Sequence, residues 1–121
     1  MILVDTSVWI DHFRRPNDRL AEALRERQIL GHPFVIGELA CGILPGHRSE
    51  ALIHLQRLPT APLAQHAEVM EMVDRQRLAG SGIGWVDAHL LASAMLASAT
   101  LWASDRALGR VARRLGVTPS W

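Results

Sequence analysis

The chain has 121 residues, 49% of them hydrophobic and 21% charged, with a formal net charge of +1. That is the size and make-up of one ordinary globular domain, which buries about two-thirds of its unfolded surface without covalent staples. All 13 basic residues are arginine, which excludes P-loop lysine, Schiff-base and lysine general-base chemistry. Cys41 is the one thiol, which excludes a disulfide framework and a cysteine zinc site.

The opening Met-Ile-Leu-Val-Asp is too short for a secretion signal, and no stretch approaches membrane-spanning length. The expectation is a soluble cytoplasmic protein. In chain order, Ile2-Leu3-Val4 is predicted as a buried strand ended by Asp5, followed by a short helix over Thr6 to Phe13 and a turn at Pro16. Leu20, Ala23, Leu24 and Arg27 at helical spacing predict an amphipathic helix from Arg19 to Gln28. Pro33 opens a further helix, apolar from Phe34 to Leu44 except at Glu38, and Pro45-Gly46 ends it. Ser49 caps a helix reaching Leu58, Thr60 to Leu63 reads as a short strand, and Gln65 to Leu78 is helical. The glycine-rich segment from Gly80 to Gly84 is a loop, Trp85 to Leu96 a buried helix, and Thr100 to Ala103 a strand. Asp105 to Leu115 is an arginine-rich helix stopped by Gly116, with Val117-Thr118 as an edge strand. The alternation predicts a single α/β domain over residues 1–121, a three-layer α/β/α arrangement around a parallel sheet.

The chemistry lies in four carboxylates. Asp5 and Asp105 each sit between an apolar strand and a helix, at the sheet edge where open parallel sheets build ligand sites. An Asp there also serves as a helix N-cap, so neither is decisive alone. Glu38 has Phe34, Val35, Cys41 and Gly42 as its helical neighbours, and Asp87 has Ile83, Gly84, Leu90 and Leu91. A carboxylate among apolar neighbours needs a partner if buried; otherwise Glu38 sits on a solvent-exposed rim, and Asp87 is a first-turn acid favoured by the helix dipole. Taken together, four such acids repel one another unless a cation gathers them. Oxygen-only ligands select Mg²⁺ or Mn²⁺, and carboxylate-held Mg²⁺ beside an arginine helix describes phosphodiester cleavage.

Four segments in series carry a resemblance. Met1-Ile-Leu-Val-Asp5-Thr-Ser-Val-Trp-Ile10-Asp-His-Phe, Val35-Ile-Gly-Glu38-Leu-Ala-Cys-Gly42, Gly82-Ile-Gly-Trp-Val-Asp87-Ala-His-Leu-Leu-Ala-Ser93 and Leu101-Trp-Ala-Ser-Asp105-Arg-Ala-Leu108 resemble, in order, the acidic motifs of bacterial PIN-domain toxins of the VapC kind. The resemblance implies a Mg²⁺- or Mn²⁺-dependent endoribonuclease, the toxin of a type II toxin–antitoxin pair. It further implies a homodimer, a heterotetramer or larger with antitoxin, and an antitoxin chain lying over the active site. Asp5, Glu38 and Asp87 would be metal ligands and Asp105 the more variable fourth acid, with Thr6 or Ser7 offering a hydroxyl or amide. Ala103 departs from the pattern, standing where relatives commonly carry a hydroxyl residue; Ser104 points elsewhere if strand alternation continues.

Other residues read more plainly. His89 lies two positions from Asp87, so it faces away and suits a surface or an interface. His12, His32, His47, His54 and His66 have no zinc-ligand spacing, Cys41 reads as a small core residue, and Asp11, Asp18 and Asp74 read as solvated. Trp9, Trp85 and Trp102 read as core. Arg106, Arg110, Arg113 and Arg114 are either a solvated face or an attraction for the RNA backbone. A phosphoacceptor domain or a dehalogenase-like phosphatase wants the lysine this chain lacks. A metal-dependent DNA nuclease and a PIN module that binds without cutting are the remaining alternatives.

Overall fold

Three short apolar runs make the sheet. In the computed structural model, which describes Met1 to Trp121, β1 (Ile2–Val4) lies between β2 (Ile29–Leu30) and β3 (Thr100–Trp102), and both pairings are parallel. Ile2 stands opposite Ile29 and Thr100, and Leu3 opposite Leu30 and Leu101. All of β1 and β2 is buried, the continuous apolar pattern of a parallel sheet covered on its faces.

Seven helices flank the sheet: α1 (Thr6–Arg14), α2 (Asp18–Arg25), α3 (Pro33–Cys41), α4 (Arg48–Gln56), α5 (His66–Arg75), α6 (Trp85–Leu96) and α7 (Arg106–Arg114). This is the predicted α/β/α arrangement with a central parallel sheet. Helix α6 packs on β1 and β3, and its residues Ala88 to Ala94 are all buried.

The differences from expectation are local and have causes. The second helix stops at Arg25 rather than Gln28, because Arg27 turns into the left-handed region (φ 56) and Gln28 then accepts from the Ile2 amide at 2.7 Å. That turn frees Ile29–Leu30 as β2, a strand too short for any periodicity to reveal. Helix α3 ends at Cys41, ahead of Pro45, because Gly42 is already extended. Helix α4 is preceded by His47, which makes no side-chain cap bond, so Ser49 is not its cap. The segment expected as a strand over Thr60 to Leu63 contributes one parallel bridge, Gly31 to Thr60. Val117 likewise gives the sheet edge a single bond, accepting from the Leu101 amide at 2.6 Å.

This topology decides where the acids fall. Each of the three strands ends on the same edge of the sheet and leads into a helix: β1 into α1, β2 into α3, β3 into α7. Helix α6 runs back toward the start of β3, so its first turn lies at that same edge.

Candidate active site

Asp5 caps α1 and is buried, 5% exposed, with Oδ2 accepting from the Ser7 amide at 3.2 Å and the Ser7 hydroxyl at 2.6 Å. Asp105 caps α7, its Oδ2 accepting from the Leu108 amide at 2.9 Å. Asp87, in the first turn of α6, accepts from the Gly84 amide at 2.9 Å through Oδ2. The capping roles weighed for Asp5 and Asp105 are therefore real, and Asp87 is the first-turn acid of α6. Glu38 is different: it is exposed at mid-helix on α3, and its Oε1 accepts from the Thr6 hydroxyl at 2.6 Å. The cost of burying a charge thus never arises for Glu38, which sits at the rim. In all four, one oxygen is pinned by a donor and the other accepts no hydrogen bond from the protein.

Asp87 senses the other three. Burial first, and then the negative charges of Asp5, Asp105 and Glu38, push the Asp87 carboxyl above its ordinary range, against the opposing pull of the Gly84 amide. One carboxylate that registers all three others marks a common electrostatic centre. As the side chains stand, no three His, Cys, Asp or Glu groups converge closely enough to enclose an ion. The donor set is nonetheless of the right kind for a hard divalent cation: all oxygen, four formal negative charges, one unengaged oxygen apiece.

Sequence reasoning anticipated a hydroxyl or amide from Thr6 or Ser7 but missed Ser104 and Asp11. Ser7 Oγ accepts from the Ser104 amide at 3.1 Å while donating to Asp5, and the Ser104 hydroxyl donates to Asp11 Oδ2 at 3.0 Å. The strand alternation on which the expectation for Ser104 rested does not reach it, because β3 stops at Trp102. Ser104 thus supports Asp5 through its backbone amide on Ser7, while its hydroxyl is turned to Asp11. Asp11 is not merely solvated; it lies one turn from Ser7 on α1, a spacing that could have flagged it.

Three further expectations need correction. His89 is buried, 7% exposed, with its ring edge-on to Phe34 and Trp85, each centroid pair 4.8 Å apart. Cys41 is exposed, not core, because it ends α3 at the surface. Trp9 is core as expected, but Trp85 is 41% exposed.

The PIN-domain family profile matches residues 2–114. The chain belongs to the PIN-domain family. It is 45% identical over 118 residues to Ribonuclease VapC32 from Mycobacterium tuberculosis, strains CDC 1551 / Oshkosh and ATCC 25618 / H37Rv, covering 97% of this chain and 94% of each relative. That likeness spans all four acidic segments and makes this a PIN protein of the VapC type.

Proposed function

We propose that the protein is a metal-dependent endoribonuclease, the toxin of a type II toxin–antitoxin pair, and that it acts in the cytoplasm as a homodimer restrained by its antitoxin. The observation that carries this reading is the gathering of Asp5, Glu38, Asp87 and Asp105 on one sheet edge, with Asp87 registering the charge of the other three. The likeness to Ribonuclease VapC32 supports RNA as the substrate and an antitoxin as the partner.

In this reading the four carboxylates would hold Mg²⁺ or Mn²⁺, each having one oxygen that the protein leaves unengaged. The chemistry supplied by a bound ion is activation of water and relief of charge on the leaving oxygen. The chain's own work is orientation. Ser7 fixes Asp5, Thr6 fixes Glu38, and the amides of Gly84 and Leu108 fix Asp87 and Asp105. Such supporting bonds matter because a ligand left free to rotate loses affinity for its ion.

The test is cleavage of a pool of structured RNAs by purified protein with Mg²⁺ or Mn²⁺, with EDTA, and with Asp5→Asn beside it. Cuts that disappear with EDTA and in the variant support the reading. Absence of cleavage by folded, antitoxin-free protein across metals and RNAs would favour a PIN module that binds without cutting, and cuts confined to DNA would favour the deoxyribonuclease alternative.

A further inference from the structure

The turn after α5 and the outer face of α7 enclose a hollow of about 510 Å³ lined by Arg77, Gly80, Ser81, Arg110, Arg113 and Arg114. No carboxylate lines it, and none of its four guanidinium groups is in an ion pair; the chain's two pairs, Arg25 with Glu22 and Arg75 with Glu71, lie elsewhere. Four like charges around one hollow create a positive field that favours an anion. Arg114 is already engaged, donating to the Gln76 carbonyl at 2.8 Å. Ser81 Oγ, though it belongs to a lining residue, is shielded from solvent and has no hydrogen-bond partner, so the hollow's polar surface is set by the arginines. In this loop Arg77, Gly80 and Gly82 all have positive φ, and a Cβ at Gly82 would lie 3.3 Å from the Ala107 Cβ.

We propose that this hollow is a phosphate-binding subsite that grips the backbone of the RNA strand on which the acidic cluster acts; the assignment of RNA rests on the nuclease reading above. Planar guanidinium forks suit the oxygens of a phosphodiester. Helix α7 sets the spacing. Arg110 and Arg114 lie roughly 7.5 and 13.5 Å along the helix from Asp105, at a rise of about 1.5 Å per residue, so the subsite holds a phosphate other than the one being cleaved. Contacts of this kind set affinity and register and do not read base identity.

The test is binding of fluorescent single-stranded RNA in EDTA, which stops cleavage, across a salt series. The variant is Arg77→Gln/Arg110→Gln, because neither guanidinium makes a hydrogen bond that folding could miss, and thermal melting verifies its fold. The expected result is about tenfold weaker binding near 50 mM salt, with the log–log salt slope shallower by about 1.4, the loss of two contacts at roughly 0.7 each. A charge-matched control outside the hollow, Arg14→Gln/Arg15→Gln, should stay within about twofold. Wild-type affinity and slope in the hollow variant, or equal loss in the control, would overturn the proposal. So would binding of inorganic phosphate at the hollow with no effect of the variant on RNA, which marks a free-anion site. If wild-type protein cuts nothing and the EDTA binding difference persists, the nuclease reading fails while the subsite stands.

Discussion

Ser7 Oγ accepts a hydrogen bond from the amide of Ser104, 97 residues away in sequence, at 3.1 Å. The same oxygen donates to Asp5 at 2.6 Å. One hydroxyl therefore joins the carboxyl ends of β1 and β3 and fixes the most buried acid of the cluster. Asp5 and Asp105 come from opposite ends of the chain, and Ser7 is the hinge pin that keeps their two strand ends in register.

Ser7→Ala should expose this dependence. The substitution leaves the Ser104 amide without its acceptor and removes one donor from Asp5, a cost of about 1–2 kcal/mol. RNA cleavage should fall by about 10–100-fold, the usual loss when the support of a metal ligand is removed. Urea unfolding and cleavage assays on the same preparation check both. Unchanged cleavage with lowered stability would reduce Ser7 to a structural cap.

Thr6→Val separates orientation from stability at the rim. The Thr6 to Glu38 bond is solvent-exposed, so its loss should cost less than about 1 kcal/mol. It is also the one hydrogen bond holding the Glu38 carboxylate, so Mg²⁺ affinity or activity should drop by about 10–100-fold. Thr6→Ser keeps the hydroxyl and should restore most of the activity. The measurement is cleavage rate against Mg²⁺ concentration for all three proteins, and a Val variant matching wild type would remove Thr6 from the account.

Much of this was legible in the sequence, and the failures are informative. Asp5 and Asp105 could be placed because an apolar run, an acid and a helical pattern follow one another within a few residues. Glu38 and Asp87 stood out by having no charged neighbour at helical spacing, although the reason first given for Glu38, burial, does not hold. What the sequence hid depended on pairing between distant segments. β2 has two residues, too few for periodicity, and exists because it pairs with β1. Ser104 escaped notice because its role comes from where β3 ends, a boundary set by packing. His89 looked like a surface residue because the Phe34 and Trp85 rings that cover it come from α3 and from a full turn earlier on α6.

His32 gives the fold a dependence on acid. Its Nδ1 accepts from the Phe34 amide at 3.0 Å, so in this tautomer Nε2 donates to Ser93 Oγ at 3.1 Å. Burial, and secondarily the charge of His89, lower its pKa to about 4 from an ordinary 6.5. Between those values the unfolded chain binds the proton and the folded chain does not, so stability rises with pH through that window and falls on acidification. The expected loss from pH 7 to 4 is on the order of 1–2 kcal/mol from this group, allowing for solvent screening. His32→Asn keeps a cap for α3 and should flatten that part of the curve. Urea midpoints at several pH values decide it, and equal slopes in the two proteins would rule His32 out as the source.

Gly82→Ala should loosen the route from the arginine hollow to Asp87. Gly82 has φ +90, where an L side chain is strained, and an added Cβ would lie 3.3 Å from that of Ala107. The cost should be about 1–3 kcal/mol. Relief of that contact shifts the loop whose next turn supplies the Gly84 amide to Asp87. Cleavage should therefore fall further than thermal stability alone explains. Ser81→Gly nearby carries no such clash and serves as the comparison; equal effects of the two would mean that the contact with Ala107 is irrelevant.

Asp87→Asn should make the metal-free protein more stable while abolishing cleavage. Asn keeps an oxygen for the Gly84 amide but carries no charge, so the burial of a charge, and after it the repulsion from Asp5, Asp105 and Glu38, which together raise the Asp87 pKa, disappear. The sign follows from linkage. A carboxyl whose folded pKa is raised holds its proton more tightly when folded, so ionising it at neutral pH weakens the fold. Removing it should gain on the order of 0.5–1 kcal/mol in EDTA at pH 7, after discounting for screening. That gain should shrink as pH falls through the carboxylate range, where Asp87 is protonated in either state. Adding Mg²⁺ should reverse the order, since binding stabilises only the protein that keeps its ligands. Thermal melts of both proteins, with EDTA and with Mg²⁺ at two pH values, give the four comparisons required. A variant less stable than wild type in EDTA would mean that Asp87 contributes more as a helix acid than it costs as one of four crowded charges.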